Sequence, residues 1–200
     1  MGLFDLFNAK QKGTAKKKLS LRYTSQGSRD GGHRIKKLVC YKKKDAEPSS
    51  PVILAADAAG RFVKMEDIPD EVFAQGILGQ CCGIDPEEGR VYAPCDGEVT
   101  HVPDTLHAVS ITAPSGVEVL IHVGVDTVEM KGDGFEAKVA PGSKVAKGQL
   151  VLTMDLKKIR EAGHPAVVIT VVTNTDDFTG VQAVATGNVK PGDELLQVIQ

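Results

Sequence analysis

Histidines are the side chains of this sequence best suited to chemistry near pH 7, and two of them lie on neighbouring predicted strands. His107 immediately precedes the alternating run 108–112, and His122 lies near the end of the run 117–123. The turn-forming segment 113–116 joins the two runs, which predicts an antiparallel hairpin. Because neutral imidazole is both a nucleophile and a metal ligand, a histidine pair held by a hairpin is a candidate active site.

The register of this hairpin decides whether the two rings meet. Counting outward from the turn pairs Thr112 with Val117 and places His107 opposite His122, with their Cβ atoms about 5 Å apart. Two imidazoles so placed can face one phosphoryl group or supply two ligands to one metal ion.

Strand alternation decides the face on which His122 lies. The β-branched residues of 117–123 alternate toward the core, so His122 lies on the other face beside Leu120, where we expect it to be exposed. We expect no function for His101 and His164, the other histidines of this part of the chain.

A zinc enzyme is the rival interpretation of the histidine pair. A β-sheet zinc peptidase needs a third ligand and an acid, typically with a His-x-His strand, whereas Val123 and Gly124 follow His122. We therefore expect that no metal is required, with His107 and His122 available as zinc ligands in a complex. No cofactor is expected.

Other catalytic motifs are absent from the sequence. It contains no glycine-rich phosphate loop of standard spacing and no CxxC pair, and its serines lack a nucleophile elbow. Four scattered cysteines are too few for a disulfide framework, which favours a reducing compartment. We interpret Cys81 and Cys82 as buried structural thiols.

The residues from position 52 onward have the pattern of an all-β fold. Short β-type runs alternate with Gly, Pro and Asp turns, and no strand–helix–strand alternation is present, so we predict an antiparallel β-sandwich or flattened barrel. The predicted strands are 52–55, 61–65, 90–93, 98–102, 108–112, 117–123, 136–139, 149–153, 166–173, 181–185 and 194–199.

One or two short helical turns interrupt these strands. Asp155 is a suitable N-cap, Leu156 and Ile159 are the predicted buried contacts, and Gly163 ends the helix. A second helical turn is predicted at 69–74.

Charge divides the chain into two regions. Residues 1–47 hold 13 Lys and Arg against 4 acidic residues, whereas the remaining 153 residues hold 11 against 22. We predict a basic N-terminal arm at 1–47, amphipathic or disordered, a Pro/Ser linker at 48–51 and an acidic domain at 52–200.

The arm suggests contact with an anionic membrane surface. Four apolar residues precede a lysine-rich run, which predicts peripheral membrane contact through residues 1–18; a frayed, solubilising terminus is the alternative. Residues 19–44 are compatible with a hairpin, a disordered arm or a weak nucleic-acid contact. Because aromatic residues are sparse there, we expect no nucleic-acid binding.

The sequence carries no apparent signal for export or insertion. No run approaches the roughly 18 apolar residues of a membrane span, and the N-terminus lacks a basic region followed by an apolar core. We expect a cytoplasmic protein.

The segments around both histidines resemble a known family. His107 to Ile111, Ser115 to Gly132 and, further out, 66–74, 93–97 and 165–170 are similar to the glucose-type enzyme IIA domain of the bacterial phosphoenolpyruvate:sugar phosphotransferase system. The resemblance covers about 52–200. It implies a β-sandwich with a shallow active face and phosphoryl relay through one histidine.

The resemblance also implies a role for each matching residue. His122 matches the residue that accepts phosphate on its tele nitrogen, His107 matches the histidine that stabilises the phosphate, and Thr105 matches the residue that orients His107. The residues that match the partner-binding rim are Asp70, Phe73, Leu120 and Asp126.

The implied donor is the histidine phosphocarrier protein HPr, and the implied acceptor is a cysteine of a sugar-specific IIB domain. The alternative is a non-catalytic regulatory module that uses the same face to bind transporters or kinases. Such transporters and kinases are therefore further candidate partners.

Overall fold

The computed structural model describes residues 50–200, which form fourteen strands and two short helices. The predictions for the arm and for positions 48–49 of the linker lie outside these residues. The helices are α1 (Glu71–Ala74) and α2 (Leu156–Glu161). The strands are β1 (Val52–Ala55), β2 (Gly60–Val63), β3 (Gln80–Pro86), β4 (Arg90–Tyr92), β5 (Gly97–His101), β6 (Ala108–Thr112), β7 (Glu118–Val123), β8 (Phe135–Ala137), β9 (Lys144–Val145), β10 (Leu150–Met154), β11 (Val168–Val172), β12 (Gly180–Ala183), β13 (Asn188–Val189) and β14 (Glu194–Ile199).

The strands form one large and two small sheets. The eight-stranded sheet has the order β13-β2-β3-β11-β7-β6-β5-β9, and the three-stranded sheets have the orders β1-β14-β12 and β4-β10-β8. Every strand pair within residues 50–200 is antiparallel. The predicted antiparallel all-β class is confirmed.

The main core lies between the large sheet and the two small ones. Each sheet contributes fully buried aliphatic side chains to it, among them Leu54, Ile121 and Leu152. Each such side chain contributes about 1.5–3 kcal/mol through burial. In β7 the odd-numbered residues face this core, as the alternation predicted, so the even-numbered residues face the other side.

A second, smaller core covers that other side of the large sheet. Ile68 and Phe73, from the segment before β3, pack on Ile169 and Val171 of β11. All five residues of β11 are therefore buried, since both faces of this strand are covered.

Both helical predictions are confirmed. The Asp155 side chain caps α2 by accepting from the amides of Lys157 and Lys158, and Ile159 is fully buried. The second predicted turn is α1, which begins after Asp70.

The central strand β3, seven residues long, was not predicted from the sequence. Its Gly83 and Pro86 are poor strand formers, which hid the pattern. Glycine is needed at position 83, because a Cβ there would lie 2.7 Å from a methyl group of Val167. The two-residue strands β9 and β13 were also missed, being too short to give a pattern.

Candidate active site

The hairpin β6–β7 was predicted correctly, but its register was wrong by one residue. Ala108 pairs with His122 and Thr112 with Glu118. The reason is the turn, in which the Gly116 amide donates to the Ala113 carbonyl (2.9 Å) and Gly116 takes a left-handed φ of +86°. Such a glycine shortens the loop to three residues with a bulge, which moves the pairing by one position.

The two histidines nevertheless meet. Their ring centroids are 4.9 Å apart, and the ring planes are inclined by 76°. His107 lies just before β6, where its carbonyl accepts from the Val123 amide (2.8 Å) and the preceding Leu106 has φ +53°. This backbone irregularity brings the His107 ring to His122, and the residue directly opposite His122 is the small Ala108.

A threonine fixes the orientation of the His107 ring. Thr105 Oγ1 lies 2.7 Å from His107 Nδ1. When the hydroxyl donates to Nδ1, the ring proton must reside on Nε2, so His107 has a donor free for another group.

His122 is buried rather than exposed, contrary to the sequence prediction. Both histidines are only 5% exposed. The Phe73 ring, part of the second core, lies 5.1 Å from the His122 ring (centroid to centroid). His122 Nδ1 is fully buried, which leaves Nε2 as the nitrogen that a partner can reach.

Burial keeps both imidazoles neutral. Desolvation, followed by the neighbouring His107, lowers the pKa of His122 to about 3, and a backbone contact with Gly124 offsets this only in part. Desolvation, followed by the charge of His101, also lowers the pKa of His107. Near pH 7 both rings are therefore neutral, and the Nε2 lone pair of His122 is available as a nucleophile.

The loop after His122 holds the end of β7 in place. Gly124 has φ +76°, and a Cβ there would lie 2.3 Å from a methyl group of Thr127. The Thr127 hydroxyl donates to the Val123 carbonyl, and the Val125 amide donates to the Pro165 carbonyl (2.9 Å). His122 thus stands on a fixed backbone.

Helix α1 supplies the aromatic wall of the site. Asp70 Oδ1 accepts from the amides of Val72 (2.7 Å) and Phe73 (3.2 Å), so this carboxylate orients the helix that carries Phe73. The Cys81 thiol donates to the Phe73 carbonyl (3.4 Å) and ties α1 to β3.

The remaining predicted site residues lie around this pair. Leu120 is half-buried on the same face as His122 and packs on the second core. Asp126 is exposed four residues after His122, in a left-handed conformation with φ +57°.

Two exposed apolar residues and one histidine were not among the site residues predicted from the sequence. Ile77 is 59% exposed in the turn after α1, and Val128 is 37% exposed just after Asp126. Neither lies in a periodic pattern; an apolar residue between loop glycines was the only signal for Ile77. His101 was set aside, yet it influences His107.

The described residues contain no metal site of three or more His, Cys, Asp or Glu side chains. The histidine pair alone offers two ligands. Cys81 and Cys82 are buried free thiols, as predicted, and burial raises the pKa of Cys81 to about 12, so it is not a thiolate.

A second buried polar group lies on the main-core side. Asp57 is fully buried, and the Thr170 hydroxyl donates to its Oδ2 (2.7 Å), while its Oδ1 has no partner in the described part of the chain. Burial raises the pKa of Asp57 to about 7. The sequence analysis did not identify this residue as buried.

The described part of the chain contains no helix that is long and apolar enough to cross a membrane.

A buried, neutral histidine pair packed against an aromatic side chain has the chemistry of a histidine phosphocarrier, and the comparisons with known proteins show this class. Residues 52–178 match the family of phosphoenolpyruvate-dependent sugar phosphotransferase system, EIIA 1. The chain is 40% identical over 161 residues to the PTS system glucose-specific EIIA component of Halalkalibacterium halodurans, covering 80% of this chain and 93% of that protein.

Two further comparisons agree. The PTS system beta-glucoside-specific EIIBCA component of Bacillus subtilis is 38% identical over 144 residues, 72% of this chain but 24% of that longer protein. The structure of glucose permease IIA from Mycoplasma capricolum matches with a TM-score of 0.68 at 31% identity, covering 74% of this chain and 96% of the other. The chain belongs to the EIIA 1 family and is a phosphoryl-transfer component of a sugar phosphotransferase system.

Proposed function

We propose that His122 accepts a phosphoryl group on Nε2 from phosphorylated HPr and passes it to a cysteine of the IIB domain of a sugar permease. The geometry of the histidine pair is the main support for this proposal. The ring centroid of the buried, neutral His122 lies 4.9 Å from that of the neutral His107. The domain that performs this relay spans residues 52–200.

The low pKa of His122 supports its role as nucleophile. Because the ring is neutral, the Nε2 lone pair attacks phosphorus without first losing a proton. The bond from phosphorus to the donor imidazole breaks as the bond to Nε2 forms, and the donor nitrogen recovers its electron pair. In the next step a IIB thiolate attacks the same phosphorus, and His122 becomes a neutral imidazole again.

His107 stabilises the charge that the transfer brings into the site. Since Thr105 occupies Nδ1, the proton on Nε2 of His107 points away from that bond and can be donated to a phosphoryl oxygen. Fixed donors of this kind are the main requirement of phosphoryl transfer, which needs little covalent assistance.

The apolar walls protect the phosphorylated histidine. Phe73 stands against the His122 ring, and Leu120 lies on the same face. Excluding water from the histidine pair slows hydrolysis while the protein exchanges partners.

The residues around the histidine pair offer a docking surface. Asp70 and Asp126 are suited to basic groups of a partner, and the exposed Ile77 and Val128 supply apolar contact beside them. Acidic side chains outnumber basic ones 22 to 11 outside the arm, which accelerates encounter with basic docking surfaces.

Relatives suggest the destination of the phosphoryl group. The names of similar proteins specify glucose, and a fused relative joins EIIA to EIIB and EIIC parts for beta-glucosides. These names support a permease for glucose or a glucoside as acceptor. Such a permease lies in the membrane, so a cytoplasmic carrier whose residues 1–18 contact the membrane surface would be held near it.

Reconstitution tests this function. The chain is incubated with phosphoenolpyruvate, enzyme I and HPr, and then with a IIB domain, and phosphate is followed on each protein. We expect transfer through the wild-type chain and none through His122→Ala. Retained partner binding by a wild type that is never phosphorylated would instead support the regulatory module.

A further inference from the structure

A β-bulge in β5 changes the face on which His101 lies. Glu98 pairs with Thr112 of β6 and Val99 with Ile111, but His101 pairs with Ser110, so one extra residue is inserted before it. Without this insertion His101 would stand opposite Val109, which belongs to the main core. Bulges commonly redirect a side chain beside an active site.

The shift places His101 on the same side of the large sheet as His122. Ser110 pairs with Leu120 of β7, and Ala108 pairs with His122. Because directly paired residues point to one side of an antiparallel sheet, His101, Ser110 and Leu120 form a row on the face that carries the active histidine.

His101 and His107 also stand at the two ends of one short loop. The Leu106 amide donates to the Pro103 carbonyl (2.9 Å), and Leu106 has φ +53°, so the chain reverses sharply between the two histidines. A positive charge on His101 would disfavour protonation of His107, in addition to the effect of burial.

One nitrogen of His101 lacks a partner. Its Nε2 is buried and forms no hydrogen bond with any of residues 50–200, although the residue as a whole is half-buried. An unsatisfied buried donor or acceptor is costly, so this atom requires an explanation. Three charged residues lie on the segments next to His101. Asp104 belongs to the loop, Lys144 to the paired strand β9, and Lys131 to the segment that approaches the Asp104 carbonyl.

We propose that His101 is a positioning residue for phosphoryl transfer, acting through His107. In the unphosphorylated protein His101 adds to the effect of burial in disfavouring protonation of His107. When the dianionic phosphoryl group is bound to His122, the positive charge on His101 helps to balance it. This inference rests on the proposed function and assigns a third imidazole to the site.

Two substitutions with different charge test the proposal. His101→Gln removes the charge and His101→Lys restores it, and His164→Gln is the control, since the charge of His164 affects neither active-site ring. We expect His101→Gln to slow transfer from phosphorylated HPr about tenfold and to raise the pKa of His107 measured by NMR. Lys should restore most of the rate.

Two outcomes would overturn the proposal. One is a rate and a His107 pKa that remain at the wild-type values in His101→Gln; the other is an equal loss of rate in the Gln and Lys variants with no change at His107, which would indicate a merely structural role. The wild type gives a second measurement, in which phosphorylation of His122 must change the NMR signals of the His101 ring. The His107 titration needs no phosphoryl donor, so failure of the relay and failure of this inference are distinguishable.

Discussion

Two desolvated polar sites lie on opposite faces of the same strand, and only one of them has the properties of a reactive site. On one face of β11, Ile169 pairs with His122 beside the second core; on the other, Thr170 donates to Asp57 within the main core. Burial lowers the pKa of His122 to about 3 and raises that of Asp57 to about 7. His122 is therefore neutral above about pH 3 and Asp57 below about pH 7, so both groups are neutral in mildly acidic solution.

The difference between them lies in access and in neighbours. Asp57 is completely enclosed and has one hydroxyl partner. His122 retains slight exposure and lies against Phe73 and His107. Desolvation alone thus gives a neutral group, whereas a reactive site also needs a reachable lone pair and a donor that faces the incoming charge.

The largest difference between the two sites is expected from His122→Gln. This change removes the nucleophile, so phosphoryl uptake should fall by at least about 10⁴-fold. Uptake is measured with radiolabelled phosphoenolpyruvate. Asp57→Asn is the matched control on the opposite face and should retain the wild-type rate within about twofold; equal losses in both variants would contradict the comparison.

His107→Gln should have the next largest effect. It removes the ring that donates to the phosphoryl oxygens and leaves the nucleophile in place. Transfer should slow by about 10²–10³-fold, and the phosphate should still be found on His122. If His107→Gln transferred phosphate at the wild-type rate, His107 would not take part in phosphoryl transfer.

The pH dependence of stability should have opposite signs at the two sites. The unfolded chain binds a proton at His122 that the folded chain does not, so the contribution of His122 is fully present above pH 6.5 and is lost as the pH falls toward 3. The folded chain holds a proton on Asp57 that the unfolded chain releases, so this contribution is present below pH 3.8 and is lost as the pH rises to about 7.

Denaturation with urea measures these contributions. Relative to the wild type, Asp57→Asn should become more stable by a few kcal/mol between pH 4 and 7, with no further gain above pH 7. Relative to the wild type, His122→Gln should instead become more stable as the pH falls below 6.5. If the free energy of unfolding of a variant and that of the wild type change with pH in the same way, the substituted group is not desolvated in the folded chain.

The smallest effect is expected at Thr105. Thr105→Val removes the hydrogen bond to His107 Nδ1 and should slow transfer about tenfold, whereas Thr105→Ser should behave as the wild type. Steady-state transfer to a IIB domain measures both. A slow Ser variant would assign the effect to the methyl group instead of the hydroxyl.

The sequence predicted the parts of this comparison that local patterns encode. Alternation in 117–123 separated the core residues from His122, and the N-cap Asp155 marked the start of α2. The register of the hairpin failed because a left-handed Gly116 shortens the turn by one residue.

Burial by distant segments could not be predicted in this way. His122 was expected on an exposed face, but the segment that carries Ile68 and Phe73 covers it from about fifty residues away in the chain. Asp57 follows an ordinary-looking strand, and its burial depends on Thr170. The bulge that turns His101 also has no periodic signal.

The position of the phosphate distinguishes Nε2 of His122 from every other ring nitrogen of the site. The wild-type chain is phosphorylated through HPr, and the modified nitrogen is identified by phosphorus–nitrogen correlation NMR on ¹⁵N-histidine-labelled protein. Because His122 Nδ1 is fully buried, we predict a single acid-labile phosphate on Nε2 of His122. A phosphate on Nδ1 of His122, or on His107 or His101, would contradict the account.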